Sequence, residues 1–278
     1  MSLPVPLHAA MTLKIATWNI NSVRLRIDLV ARFLRKWQPD ILCLQETKCP
    51  QGQFPAGPLK DLGYNHIAES GQKGYHGVAI VSRRPFVASN VKAFCAKDDC
   101  RHIAVTLDMG KPLTIHNLYV PAGGDEPDPK INDKFAHKLQ FLDELENWFT
   151  AGSQPRVHHG VVVGDLNIAP LEHDVWSHKE LLKVVSHTPI ETAGLTRVQK
   201  AGKWIDLVRK HIPPEEKLYT WWSYRARDWA QANRGRRLDH IWSTAALASS
   251  CDHIEVVREA RGWPQPSDHV PVIAKFAL

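Results

Sequence analysis

The 278-residue sequence has no long hydrophobic run, no CxxC pair and no internal repeat. No stretch approaches the roughly 18 consecutive apolar residues of a membrane-spanning helix, so we expect no membrane partner. The N-terminal MSLPVPLHAAM lacks the basic start and long apolar core of a signal peptide, which favours a cytoplasmic protein. Its five cysteines are an odd number, which favours reduced thiols over a disulfide framework. A pair between Cys95 and Cys100 is the minor alternative.

The chain also lacks a Gly/Ser linker or a break in composition that would mark a domain boundary. Residues 11–278 are therefore expected to form a single domain, which is long enough to bury a full core. Residues 1–10 precede a more typical start at Met11, and we expect them to be a disordered extension.

Apolar strand patterns alternate with amphipathic helix patterns along the whole chain. The helix predicted at 25–37 carries Val30, Phe33, Leu34 and Trp37 on one face. Residues 174–212 are expected to be helical and rich in loops. The longest predicted helix, at 131–149, has an apolar face made of Ile131, Phe135, Leu139, Leu142, Leu145 and Phe149. The predicted strands are 13–18, 41–44, 78–82, 103–108, 113–119, 161–163, 238–243, 254–257 and 270–276. This order favours an α/β domain in which two sheets pack together with helices outside.

Polar residues flank these strands. Groups that follow strands are Asn19 and Asn21, Gln45 and Glu46, Tyr119, and Asp165 and Asn167. Groups that precede strands are Asp239, and Asp268 with His269. If the last two strands run opposite to the first four, all six groups meet at one edge. Each residue alone has an ordinary structural explanation; Asp165, for example, suits an Asx turn or a helix cap.

A cluster of this composition would suit a divalent cation. Carboxylates that lie close together without a counter-charge raise one another's pKa, and a cation removes that conflict. Oxygen ligands without a thiolate favour Mg²⁺ or Mn²⁺ over Zn²⁺.

The net charge of +6 is concentrated in one segment. Residues 197–237 contain eleven Lys or Arg and four Asp or Glu, a net charge of +7, and four tryptophans are interleaved with them. Basic and planar side chains together suit a nucleic-acid backbone and exposed sugars or bases. The alternative is a solvated basic face with tryptophans in the core.

The motifs WNIN, LQETK, NLYVP, GDLNIAP, RLDHIW and SDHVP occur in that order. Together they resemble the exonuclease III branch of the endonuclease/exonuclease/phosphatase superfamily, over about residues 11–278. The stretches LQETK, GDLNIAP–DVW and YTWWSYR…NRGRRLDHIW are the more specific to its DNA-repair members. The resemblance implies a four-layer α/β sandwich of two mixed sheets.

It also implies a role for each matching position. Glu46 resembles the main Mg²⁺ ligand, with Mn²⁺ able to substitute, and Asn19 lies beside it. Asp165 resembles the group that activates or positions water, and Asn167 the amide that holds it. His269 resembles a phosphate-contacting imidazole with Asp239 as its partner, and Tyr119 a phenol on the same phosphate. The implied metal ligands are Asn19, Glu46, Asp165, Asn167, Asp268 and His269. The implied DNA contacts are Asn21, Arg101, Lys134, Trp221, Arg225, Asn233 and Arg234.

The implied activity is hydrolysis of the phosphodiester 5′ of abasic (AP) sites in double-stranded DNA, together with 3′→5′ exonuclease and 3′-phosphatase activity at damaged 3′ ends. The implied setting is a monomer in the bacterial cytoplasm, at the nucleoid during repair. Two positions depart from relatives: Asn21 stands where some carry Asp, and Ala122 where many carry a polar amide. The alternatives are a phosphoesterase of the same superfamily with a non-DNA substrate, and a DNA-binding module without activity.

Overall fold

The structure is a computed structural model that describes residues 11–151 and 159–278, so the expected extension at 1–10 lies outside the described residues. The strands are β1 (Thr12–Asn19), β2 (Ile41–Gln45), β3 (His66–Ser70), β4 (Val78–Ser82), β5 (Ala88–Val91), β6 (His102–Asp108), β7 (Pro112–Tyr119), β8 (His159–Asp165), β9 (Ile205–Asp206), β10 (Trp221–Trp222), β11 (Gly235–Arg236), β12 (Asp239–Ser243), β13 (Cys251–Val256) and β14 (Val272–Ala277). The helices are α1 (Ile27–Trp37), α2 (Gly57–Lys60), α3 (Asp133–Thr150), α4 (His178–Leu181), α5 (Pro189–Ala201), α6 (Leu207–His211), α7 (Trp229–Ala232) and α8 (Ala245–Ala248).

Two mixed six-stranded sheets form the centre of the molecule. One has the order β13-β14-β1-β2-β4-β3 and the other β5-β6-β7-β8-β12-β9. Their facing side chains make the inner core, which includes Ile15, Ile80, Val105 and Val163. This confirms the predicted fold class.

The outer face of each sheet is covered by helices, because successive residues of a strand point to opposite faces. In β1, Leu13 and Ile15 join the inner core, whereas Ala16 and Trp18 pack with Phe33 of α1. On the far side, α3 and α5 cover the second sheet. The result is the four-layer arrangement.

The direction of the strands brings the polar ends together. β2 runs parallel to β1, and β8 runs parallel to β7. β14 is antiparallel to β1, and β12 is antiparallel to β8. The carboxyl ends of β1 and β2 therefore lie at the same edge of their sheet as the start of β14, and those of β7 and β8 at the same edge as the start of β12. This is the strand direction that the sequence analysis required.

The long helix α3 differs from its prediction at its start. Asn132 caps the helix by accepting hydrogen bonds from the backbone N–H groups of Lys134 and Phe135. Ile131 therefore lies outside α3 and is 73% exposed, although it was expected in the apolar face. Lys138 is instead part of the buried face. Within the described residues, no helix is both long and apolar enough to cross a membrane. All five cysteines, including Cys95 and Cys100, are free.

Candidate active site

Glu46 and Asp165 face each other from the two sheets through the Asn19 amide. The Nδ2 group of Asn19 donates to Glu46 Oε1 and to Asp165 Oδ2, both at 2.9 Å. Asn19 ends β1, Glu46 directly follows β2, and Asp165 ends β8. The bridging amide thus fixes the separation of two carboxylates that the chain places far apart in sequence.

The Asp165 carboxylate is held by the residue two positions later. The backbone N–H of Asn167 donates to Oδ1 at 2.9 Å, and its Nδ2 group donates to Oδ2 at 3.1 Å. Asn167 adopts a left-handed φ of 54°, and Glu46 a φ of 48°. The left-handed region is uncommon for non-glycine residues, and asparagine tolerates it better than glutamate does, so the backbone at Glu46 is the more constrained of the two.

Gly164 allows Asp165 to approach β7. A Cβ atom at position 164 would lie 1.9 Å from the carbonyl oxygen of Leu118, at a φ of 139°. Only glycine therefore permits this pairing, in which Asp165 lies opposite Tyr119.

His269 and Asp239 form a buried pair beside Asp165. His269 Nδ1 lies 2.8 Å from Asp239 Oδ2, and Nε2 lies 3.6 Å from Asp165 Oδ2. The Thr220 hydroxyl donates to the same Asp239 oxygen at 2.6 Å. The His269 backbone N–H donates to Ser267, which in turn donates to the Asn19 carbonyl. The imidazole orientation is therefore fixed from both sides.

These contacts determine the charge of the site. Burial by itself would lower the pKa of His269, but the carboxylates of Asp239 and Asp165 outweigh it and raise the pKa to about 10. Burial raises the pKa of Asp165 to about 7, against the effect of His269. Burial also raises the pKa of Glu46, but Lys48 and the Asn19 amide outweigh it, so that pKa lies below its usual value. Near neutral pH His269 is therefore an imidazolium and Glu46 a carboxylate, whereas Asp165 is partly protonated.

Asp268 and Trp221 form the rim. The Trp221 indole N–H donates to Asp268 Oδ2 at 2.9 Å, and Asn21 Nδ2 donates to Oδ1 at 3.2 Å. Lys48 Nζ donates to Asn21 Oδ1 at 2.6 Å and lies 2.9 Å from Glu46 Oε2. Lys48 therefore links the rim to the central carboxylate.

Several of these groups line one cavity of about 670 Å³. Glu46, Asp165 and His269 line its polar side. The same cavity is also lined by apolar and aromatic groups, namely Trp176, Val184, Val185, Trp221 and Leu238, and by Arg225, Arg234 and Arg236.

The donor set fits a hard divalent cation. Its oxygens come from carboxylates and amides, and Asp239 Oδ1 is buried with no hydrogen-bond partner among residues 11–151 and 159–278. Asp165, Asp239 and His269 offer ligand atoms within 4.8 Å of one another. However, Nδ1 of His269 is already bonded to Asp239, and a protonated imidazole is no ligand. Glu46 is therefore the better candidate, and His269 is better suited to contact phosphate than to bind metal.

The sequence matches the Endonuclease/Exonuclease/phosphatase family over residues 16–269. The chain belongs to this family. It is 30% identical to exodeoxyribonuclease III of Haemophilus influenzae, across 95% of this chain and all of the relative. An AP endonuclease structure from Archaeoglobus fulgidus has a TM-score of 0.86 and 33% identity, covering 96% of this chain and 100% of that one. The structure of the 3′ phosphatase NExo from Neisseria, bound to a product DNA hairpin, has a TM-score of 0.86 and 32% sequence identity, and it covers 96% of this chain and 100% of that one.

Arg101 and Lys134, two of the basic residues expected to contact DNA, have different surroundings, and Arg101 lies beside Tyr119. Burial, with Glu46 and Asp165 nearby, raises the pKa of the Tyr119 hydroxyl well above its usual value, so it is a neutral donor. The Arg101 guanidinium is buried against Asp99 and lies 4.9 Å from the Tyr119 ring centre. Lys134 is exposed in the first turn of α3, beside Gly124 of the cavity wall.

The basic segment is not one continuous surface. Arg225 and Arg234 are exposed at the cavity, and Arg234 lies 4.5 Å from the centre of the Trp176 ring. Asn233 Oδ1 accepts hydrogen bonds from Trp222 and Arg258.

Other basic residues of the segment have internal partners. Arg237, which is counted in the net charge of the segment, is fully buried and paired with Asp174 and Asp206, so it is not placed to contact a phosphate backbone. Arg197 pairs instead with Asp143 and Glu146 on α3. Trp222 belongs to the core.

The sequence analysis missed three residues that support the site. Lys48 lies in the LQETK motif, so its position two residues after Glu46 could have indicated a role at the site. For Thr220 the only indication in the sequence is that it precedes Trp221. Nothing in the sequence indicated a role for Lys138, because its helical spacing predicts only that it shares a face with apolar residues.

Proposed function

We propose that this chain is a metal-dependent DNA-repair nuclease that hydrolyses the phosphodiester 5′ of an abasic site in double-stranded DNA. The observation that carries the proposal is one cavity that Glu46, Asp165, His269 and Trp221 line together. The names of the relatives support the class of activity, namely exodeoxyribonuclease, AP endonuclease and 3′ phosphatase. We extend the proposal to 3′→5′ exonuclease and 3′-phosphatase activity.

Asp165 is arranged to orient and deprotonate a water molecule. A carboxylate has about four lone-pair sites. Three of these receive N–H donors from Asn19 and Asn167. The remaining site, on Oδ1, can accept the water proton, while the three donors hold the carboxylate in place. Attack of that water on phosphorus breaks the bond to the 3′ oxygen, which leaves as an alkoxide and takes a proton from solvent to become the 3′-OH, while the phosphate stays on the 5′ side of the abasic sugar.

His269 supplies positive charge to the phosphate. Its Nδ1–H donates to Asp239, so Nε2–H is the group that can donate to a phosphoryl oxygen. A donor that is already oriented and charged stabilises the developing charge without reorganisation. The neutral Tyr119 hydroxyl can donate to the same phosphate.

We propose Mg²⁺ as the cofactor, with Mn²⁺ able to replace it, held by Glu46 with Asn19, Asp165, Asn167 and Asp268 as the nearby oxygen donors. When bound, the cation would neutralise phosphoryl oxygens and act as a Lewis acid.

The cavity wall favours an abasic nucleotide. A sugar without a base costs less stacking energy to extrude from the duplex than an intact nucleotide. Trp221, at the wall, is anchored by its bond to Asp268 and offers a planar face. Arg225 and Arg234 at the same cavity can contact flanking phosphates, with Asn21, Arg101, Lys134 and Asn233 as further candidates. We also propose that the protein works as a monomer in the bacterial cytoplasm, at the nucleoid.

Four substrates test the function. Protein with Mg²⁺ is incubated with duplexes that carry an abasic analogue, a recessed 3′ end or a 3′-phosphate, and with a soluble inositol phosphate. We expect incision of the abasic duplex and release from both 3′-end substrates. Turnover of the inositol phosphate alone would instead support the non-DNA phosphoesterase alternative. No turnover of any substrate would support a binding module.

A further inference from the structure

Lys138 is a cationic residue within the apolar face of α3. Its side chain is fully buried, as are its helix neighbours Phe135 and Phe141. Burial of an ammonium group costs free energy unless each of its protons has a hydrogen-bond partner. The partners of Lys138 therefore indicate its role.

The Lys138 ammonium makes three contacts, one for each of its protons. Nζ lies 2.5 Å from Glu191 Oε1 and donates to the carbonyl oxygens of Asn167 at 2.8 Å and Ala122 at 3.2 Å. Both carbonyls belong to loops that line the cavity: Ala122 follows β7 and Asn167 follows β8. The ammonium therefore ties together the loops after the two parallel strands that carry Tyr119 and Asp165.

Glu191 extends the connection to a third wall. Its buried carboxylate accepts the backbone N–H groups of Ser186 and Thr188 and the Thr188 hydroxyl. Ser186 and Val185 line the same cavity. A single buried ion pair thus connects three segments of the cavity wall.

The site has little room for adjustment. A Cβ atom at Gly123 would lie 2.9 Å from Lys138 Cδ and 3.0 Å from Val185 Cγ1. The Lys138 stem is therefore packed into the turn that follows Ala122, so the ammonium can hardly move without moving that loop.

Stability alone is a poor explanation for this pair. Buried ion pairs are often no more stabilising than apolar residues of the same volume. The helices α3 and α5 are also joined by an apolar cluster and by the more exposed pairs of Arg197 with Asp143 and Glu146.

We propose that Lys138 is a positioning residue: its ammonium holds the Asn167 and Ala122 loops, and through Glu191 the Ser186 segment, in the arrangement that aims Asp165 at the phosphate. The proposal rests on the nuclease function proposed above. Asn167 donates twice to Asp165, so a shift of its backbone moves the carboxylate.

The test compares two variants of the full chain. Lys138→Met/Glu191→Gln removes both buried charges and all three ammonium contacts, so it avoids an unpaired buried carboxylate. Arg197→Met is the matched control, because it removes the exposed link between the same two helices without touching the cavity. For both we measure thermal stability, kcat and KM on an abasic duplex, and hydrogen exchange of peptides that cover 120–124 and 165–170.

For the double variant, we expect kcat to fall by about 10- to 100-fold with KM within about threefold, as for a misplaced catalytic group. Exchange should rise in both peptides, while Arg197→Met matches the parent in kcat and exchange. A folded double variant with parental kcat and exchange would overturn the positioning role. If the parent cleaves no duplex, the nuclease function fails, and hydrogen exchange still decides whether Lys138 holds the loops. If the double variant does not fold, Lys138→Gln/Glu191→Gln, which also removes both buried charges but keeps polar side chains at both positions, is compared by exchange in the same way, and unchanged exchange would overturn the proposal.

Discussion

Replacement of Asp239 by Asn tests how His269 acts. The Asp239 Oδ2 atom accepts from both His269 Nδ1 and Thr220 Oγ1, whereas Oδ1 is buried and has no partner in the part of the chain that the structure describes. An Asn carbonyl placed at Oδ2 would keep both bonds, but it would bury an amide N–H₂ without an acceptor. The opposite orientation would present N–H₂ to His269 and favour the wrong tautomer.

In either orientation His269 loses the carboxylate that favours its imidazolium form. We expect kcat for Asp239→Asn to fall by about 10²–10³-fold, the effect of losing one preorganised donor. The free energy of unfolding should fall by only about 1–3 kcal/mol, the cost of one unsatisfied buried group. The larger loss typical of a broken buried ion pair is avoided, because His269 can give up its proton near neutral pH.

The assay is single-turnover cleavage of a duplex with an abasic analogue, together with DNA affinity and urea unfolding. Asp206→Asn is the control, since Asp206 is a largely buried carboxylate that pairs with Arg237 outside the cavity. That variant should lose stability while keeping kcat. If Asp239→Asn retains kcat within about threefold of the parent, the charged role of His269 is refuted.

Four further predictions follow from the same contacts. Asp165→Asn should lose most turnover with DNA binding largely kept, measured as kcat against Kd; equal losses in both would contradict the role in water activation. EDTA should abolish cleavage and Mg²⁺ or Mn²⁺ should restore it, whereas full activity in chelator would contradict a metal requirement. Asp174→Asn should lower the free energy of unfolding in urea by about 3–5 kcal/mol, because it leaves Arg237 buried without its main partner. Burial raises the pKa of Asp174, but its arginine partners outweigh burial and hold that pKa below the usual value. The stabilisation that Asp174 provides is therefore fully present above the usual pKa and should shrink as the pH falls through the folded pKa. Arg225→Gln and Arg234→Gln should each reduce the salt dependence of DNA binding by about one unit of log–log slope, and an unchanged slope would exclude phosphate contact.

Strand prediction worked best where both faces of the strand are buried. Strand β4 matches its prediction, because every one of its residues is buried and apolar or small. Strands β3 and β5 were missed: they are sheet edges, half-buried or exposed, and their sequences HIAES and ASNV lack a continuous apolar run. Pattern analysis detects burial, and edge strands have little of it.

The sequence by itself determined which residue types stand at the strand ends, and strand direction then brought those ends to one edge. Only the tertiary structure decided how each group is used. The fold places Arg234 at the cavity against Trp176, whereas it buries Arg237 in an ion pair with Asp174. Lys138 reaches the Asn167 loop across 29 positions of sequence, and Asn19 reaches Asp165 across 146. Such long-range contacts depend on how two sheets and their helices pack, which local spacing does not encode.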